Sequence, residues 1–273
     1  MKTIIGIDCS TNLKKLGICR AVLRSNELII EKVVTGIRDP IPFIHSWITD
    51  ATTLLAFDAP LGWPADLGKS LSAHMAGEAI DVDGNQLFRR ATDRYVRANL
   101  GKQSLDVGAD RIARTALWAV NFLNKLGHMT GGPISLAWGA DFSESVAAIE
   151  VYPAATLLAR GLALPGYKKI ENLSTRIEIL SGLASEMTIH CERAEITATD
   201  DALDSVICAL AGYDFLENRC AGPEDLELAR KESWIWFPEK GKCLSRCFRP
   251  GFILQNGPRV SLDQPQGDIL LVK

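Results

Sequence analysis

The stretch TIIGIDCS (residues 3–10) decides how this chain is read, because an apolar run of strand length ends on a carboxylate, Asp8. Three later stretches repeat the device. TLLAFDAP (53–60) reaches Asp58, VAAIEVYP (146–153) reaches Glu150, and TDDALDSVICAL (199–210) opens a helix with Asp200, Asp201 and Asp204. A carboxylate at the end of a buried strand has lost much of its water, so its charge needs a partner. The repetition points to several carboxylates meeting around shared cations.

Working outward, LGICRAVL (16–23) and ELIIEKVVT (27–35) read as two further strands, with Ser25 and Asn26 suited to the turn between them. PIPFIHSWITDA (40–51) opens on prolines and carries Ile44, Trp47 and Ile48 at helical spacing, which predicts a crossover helix before the strand TLLAFDAP. Residues 62–130 differ in character and read as a mostly helical insertion over the carboxylate end of the sheet. It holds the arginine-rich GNQLFRRATDRYVRANLG (84–101) and an amphipathic helix, DRIARTALWAVNFLNKL (110–126), with Ile112, Ala116, Val120 and Leu123 on one face. The sheet resumes at SVAAIEVY (145–152), and Pro153 stops that strand. Two helices, ATLLARGL (155–162) and STRIEILSGLASEM (174–187), lead to a third, DDALDSVICALAGYDFL (200–216), with Leu203, Ile207, Leu210 and Ala211 on one face. SWIWFP (233–238) alternates as an edge strand would. The expectation is an α/β domain over residues 1–240, a mixed five-stranded sheet flanked by helices, with a C-terminal tail at 241–273.

The apolar share of 47% and charged share of 23% are those of an ordinary globular protein. No apolar run is long enough to span a bilayer, and the first acidic residue arrives too early for a secretory signal, so the expected location is cytoplasmic. Seven scattered cysteines read as reduced thiols. Cys243 and Cys247 lie four apart, but no second pair or nearby histidine completes a zinc site, and the structural reading is favoured. The formal net charge of −3 excludes a strongly basic polyanion binder. Two divalent cations held by the carboxylates would offset it, so nucleic acid stays open as a partner.

In an open sheet, functional groups gather beyond the carboxyl ends of the strands. Asp58 and Glu150 sit at such ends and Asp8 is late in the first strand. Asp201 and Asp204, three apart on a helix, share a face, while Asp200 suits the N-cap. Oxygen ligands without His or Cys favour Mg²⁺ or Mn²⁺ over zinc. Two such ions about 4 Å apart activate water and stabilise the leaving oxygen in phosphodiester cleavage. Arg90, Arg94 and Arg97 would line one helix face and grip phosphates, whereas Arg89 and Asp93 would form a surface pair. Trp63 reads first as a packed loop aromatic and second as a stacking platform for a base.

The order IGIDCS (5–10), LLAFDAPLG (54–62), RRATDR (89–94), AIEVYP (148–153) and TDDALDSVICA (199–209) resembles domain-of-unknown-function family 429, a family predicted to hold ribonuclease H-like nucleases. It is also similar to the Holliday-junction resolvase branch of that superfamily, whose final helix carries paired acids three apart. The resemblance covers most of residues 1–217. It implies a ribonuclease H-like sheet, with Asp8, Asp58, Glu150, Asp201 and Asp204 as metal ligands and catalytic acids, and Arg90 and Asp93 at the substrate. A rival reading starts from IGIDCSTNLKKLGI (5–18), which resembles the phosphate-binding hairpin of sugar kinases and actin-like ATPases. Ser10, Thr11 and Asn12 suit that role, but no glycine-rich adenosine segment follows. A third is a catalytically silent nucleic-acid-binding module. Neither Ser10 nor the four histidines fall into a nucleophile triad. The expectation is therefore a Mg²⁺- or Mn²⁺-dependent nuclease acting on DNA or RNA. Asp8, Asp58, Glu150, Asp201 and Asp204 would hold the metals, and Arg90, Arg94 and Asp93 would bind substrate. No membrane is involved, and a homodimer is a candidate assembly.

Overall fold

A computed structural model describes residues 1–48 and 51–242. Cys243, Cys247 and nearly all of the expected C-terminal tail lie outside the described residues. The strands are β1 (Lys2–Asp8), β2 (Gly17–Arg24), β3 (Glu27–Thr35), β4 (Thr53–Asp58), β5 (Ser135–Leu136), β6 (Val146–Val151), β7 (Thr188–Ile189) and β8 (Ile235–Trp236). They form one mixed sheet in the order β5-β6-β4-β1-β2-β3-β7, with β8 also pairing β6. The pairs β1–β2 and β2–β3 are antiparallel, and the others are parallel. Eight strands replace the expected five: β8 falls inside SWIWFP, which alternates as an edge strand would, whereas β5 and β7 are two residues long and too short to carry a readable period of two. Ser25 and Asn26, both at positive φ, close the β2–β3 hairpin, a backbone twist that matches that of the strands.

The helices are α1 (Pro40–His45), α2 (Ala65–Leu71), α3 (Gly84–Phe88), α4 (Ala91–Leu100), α5 (Ile112–Thr130), α6 (Pro153–Ala159), α7 (Leu173–Leu183), α8 (Arg193–Thr197), α9 (Asp200–Leu216) and α10 (Leu226–Glu232). The central strands are apolar on both sides, and alternation divides them between two cores. Ile4, Leu54, Ala56, Ala147 and Ile149 face one core with α9, and Ile5, Ile7, Leu55, Phe57 and Ala148 face the other with α1 and α5. The buried stripe of α5 is Ala116, Ala119, Phe122 and Leu126. Of the face expected there, only Ala116 is fully buried. Helix α9 is buried all round from Ala202 to Leu216, because it lies between the sheet and the helices α6, α7 and α8.

Two glycines let α9 lie directly on the sheet. A Cβ on Gly6 would stand 2.1 Å from the Ser205 carbonyl oxygen, and one on Gly17 would stand 2.1 Å from that of Asp201. Any larger residue would push the helix off β1 and β2. The start of α9 is fixed by Thr199, whose hydroxyl accepts from the Ala202 N–H at 3.0 Å. Asp200, the expected cap, is instead the first helical residue, where its charge complements the helix dipole. Among the described residues, no helix is long and apolar enough to cross a membrane.

Candidate metal centre

Asp8 and Asp58 are direct neighbours in the parallel β1–β4 register, at the carboxyl ends of both strands. Strand alternation places both on the same side as Ile4, Leu54 and Ala56, the side covered by α9. Helix α9, held close by Gly6, supplies Asp204 one residue before the contact at Ser205. Carboxylate oxygens of Asp8, Asp58 and Asp204 thereby lie within 4.8 Å of one another. Asp8 and Asp58 also line a cavity of about 310 Å³, whose wall includes Tyr152 and Lys168 together with Arg90, Asp93 and Glu150.

Three carboxylates this close resist ionisation. Burial, then the charges of Asp204 and Asp58, hold the Asp8 carboxyl well above the usual carboxylate range. Burial is again the main cause at Asp58, which is pushed up to about 7. At Asp204, only 1% exposed, burial outweighs the opposing pull of Lys168 and raises the carboxyl. Two groups not anticipated from sequence answer this charge. Lys168 Nζ lies 2.6 Å from Asp204 Oδ2 on a side chain that is 54% exposed, and the Tyr167 hydroxyl donates to Asp204 Oδ1 at 2.9 Å. Burial alone would lower the Lys168 ammonium, but Asp204, Tyr167 and Asp58 outweigh it and hold it above its usual range. Both residues come from the irregular segment between α6 and α7, which carries no periodic or motif signal.

Glu150 is not placed with this triad. It pairs in register with Phe57, so its side chain starts from the opposite side of the sheet from Asp8 and Asp58. There both of its oxygens accept from Arg90, at 2.7 and 2.8 Å, and Oε2 also accepts from the Leu61 N–H at 3.0 Å. Arg90 donates further to both Asp93 oxygens at 3.0 Å and to the Glu232 carbonyl at 3.2 Å. At 1% exposure, with Glu150 at 2% and Asp93 at 0%, the guanidinium is an internal cation, paired on both sides, at the wall of the cavity. Burial works against its charge, but Glu150 and Asp93 more than compensate.

The expected arginine face therefore takes another form. Arg89 and Arg90 are extended residues between α3 and α4, and only Arg94 and Arg97 lie on α4. Arg94 donates to the carbonyls of Arg89 and Asn85, Arg97 to Gln103, and Arg89 to Asp106 instead of Asp93. Glu232, also unanticipated, braces the same wall. Its two oxygens accept from the Ala65 and Ala91 N–H groups, each at 2.7 Å, at the starts of α2 and α4. Asp201 is half-buried outside the triad, its carboxyl pushed up to about 6 by burial and then by Asp200. Trp63 is partly buried in the loop after β4. Ser10 and Asn12 accept from the N–H groups of Asn12 and Lys14, folding the β1–β2 loop on itself.

The donor set suits a hard divalent cation: three carboxylates from three elements, partly desolvated, with no nitrogen or sulfur ligand among them. Such a cation relieves the repulsion that otherwise drives protonation. Cys9, Cys19, Cys191 and Cys208 are free thiols. No curated protein and no solved structure matches the chain. A family model described as "Protein of unknown function (DUF429)" matches residues 6–227, from inside β1 to the start of α10, and the chain belongs to that family.

Proposed function

We propose that this protein is a Mg²⁺- or Mn²⁺-dependent nuclease that hydrolyses phosphodiester bonds at the Asp8–Asp58–Asp204 triad. The observation that carries the reading is the meeting of these three carboxylates, within 4.8 Å, at the carboxyl end of the sheet. The strand order supports a ribonuclease H-like fold. Its five long strands run β3-β2-β1-β4-β6, with β2 antiparallel to both neighbours and the acids on the central pair and on the helix across it.

When bound, a divalent ion supplies a Lewis acid for the phosphate oxygens and lowers the pKa of a bound water. The chain's own residues would hold and aim that chemistry. Asp8 and Asp58 present their oxygens from adjacent rigid strands, and Asp204 is oriented by the Tyr167 hydroxyl. The Arg90–Glu150–Asp93 cluster, braced by Glu232, would fix the cavity wall it lines, with its charges paired to one another. Tyr152, whose phenol is pushed up to about 12 by burial and then by Asp58, stays protonated at the cavity edge as a hydrogen-bond donor.

The test is cleavage of labelled single-stranded, double-stranded, hybrid and branched substrates in Mn²⁺, comparing wild type with Asp8→Asn. Cleavage lost in the variant is the expected result and identifies the substrate class. Wild-type protein that cleaves none of these substrates sinks the nuclease reading.

A further inference from the structure

We infer that the site holds one divalent ion, and that the Lys168 ammonium stands in for the second cation of a two-ion centre. This rests on the metal-dependent reading above and specifies it. A two-ion centre, with ions about 3.5–4 Å apart, spreads its ligands over both ions and commonly bridges them through a shared carboxylate. Among the described residues, the acids available for that are fewer than the sequence suggests. Glu150 has both oxygens committed to Arg90, and Asp201 lies outside the group that closes within 4.8 Å. Three carboxylates remain, and one of them already has Lys168 Nζ 2.6 Å from Oδ2. One divalent ion and one ammonium balance three carboxylates, whereas two divalent ions beside the ammonium overshoot.

The segment bearing Lys168 is built to keep it there. Arg176 is buried at 2% exposure, and its guanidinium donates to five backbone carbonyls. Three belong to the Lys168 segment: Tyr167 at 2.9 Å, Lys169 at 2.8 Å and Ile170 at 3.3 Å. The other two, Thr197 at 2.7 Å and Ala198 at 3.4 Å, lie just before α9. One planar cation thus ties the backbone on both sides of Lys168 to the approach of the helix that carries Asp204. The backbone is pinned while the half-exposed side chain keeps its flexible stem. A lysine merely decorating the surface would need no such anchorage.

The experiment is a Mn²⁺ titration followed by electron paramagnetic resonance, on wild type, Asp8→Asn, Lys168→Met and Lys168→Arg, with folding checked by circular dichroism. Methionine keeps most of the stem and removes the charge; arginine keeps the charge. Wild type should bind one Mn²⁺ per chain, and Asp8→Asn should lose it. Lys168→Met should bind the first ion at least about tenfold tighter, because a nearby positive charge is gone, and Lys168→Arg should remain close to wild type. Two ions in the wild-type site, or unchanged affinity in Lys168→Met, overturns the inference and leaves the metal site standing. Binding that is absent, or that survives Asp8→Asn, overturns both.

Discussion

Replacing Asp58 by asparagine should make the metal-free protein more stable above neutral pH, although it removes a residue from the proposed site. Asp58 is raised from 3.8 to about 7, chiefly by burial and, among its neighbouring charges, by Asp204 and Glu150. Such a shift corresponds to about 4 kcal/mol by which folding favours the protonated over the charged carboxyl. The sign follows from the direction of the shift. A carboxyl raised in the folded state contributes its stability fully below the unfolded value, and loses it as pH rises through the folded one. The asparagine side chain carries no charge at any pH and loses nothing. The stability of Asp58→Asn relative to wild type should therefore grow from near zero at about pH 4 to about 4 kcal/mol at about pH 8. At roughly 2–4 °C per kcal/mol, that is a Tm higher by roughly 10 °C. The assay is thermal denaturation of both proteins in chelator across that pH range. Taking the difference cancels the titrations that Asp58 does not influence, and the relief of Asp8, which feels the Asp58 charge, adds with the same sign. A difference that stays flat with pH, or a variant less stable than wild type at the alkaline end, refutes the claim that this carboxylate is held against its own ionisation.

Two further perturbations probe the frame around the triad. Glu150→Gln should have the opposite sign, losing about 3 kcal/mol in urea denaturation at neutral pH, because it breaks a buried ion pair with Arg90. Unchanged stability together with lost Mn²⁺ binding would instead return Glu150 to the ligand set. Gly6→Ala puts a Cβ 2.1 Å from the Ser205 carbonyl oxygen, so α9 must lift. It should cost about 1–3 kcal/mol and weaken Mn²⁺ binding through the displaced Asp204, and a protein unchanged in both would contradict the contact.

The sequence by itself determined the local structure. The apolar runs of β1, β2, β3, β4 and β6 were legible because each is long enough to show a strand's composition and its polar or proline boundary. Helix α9 was legible from the helical spacing of Leu203, Ile207, Leu210 and Ala211 and its acidic first turn, though not its burial all round, and Asp8, Asp58 and Asp204 from their places at the ends of those elements. Only the tertiary structure decided which acids meet. Asp58 and Glu150 look alike in sequence, each closing an apolar run, yet the β4–β6 register sets Glu150 against Phe57, so its side chain starts from the opposite side of the sheet and reaches the shared cavity already paired with Arg90. A shift of one residue in register would have reversed that, and register is a property of the paired strands, carried by neither alone. Arg90 reads as a surface cation until Glu150, Asp93 and Glu232, drawn from β6, α4 and α10, surround it. Lys168 sits in an irregular segment with no period to read, and folding brings it to Asp204, with Arg176 tying that segment to the approach of α9. Residue types and their periods are written along the chain, whereas the charge balance of a buried site is set by groups that only folding brings within a few ångströms of one another.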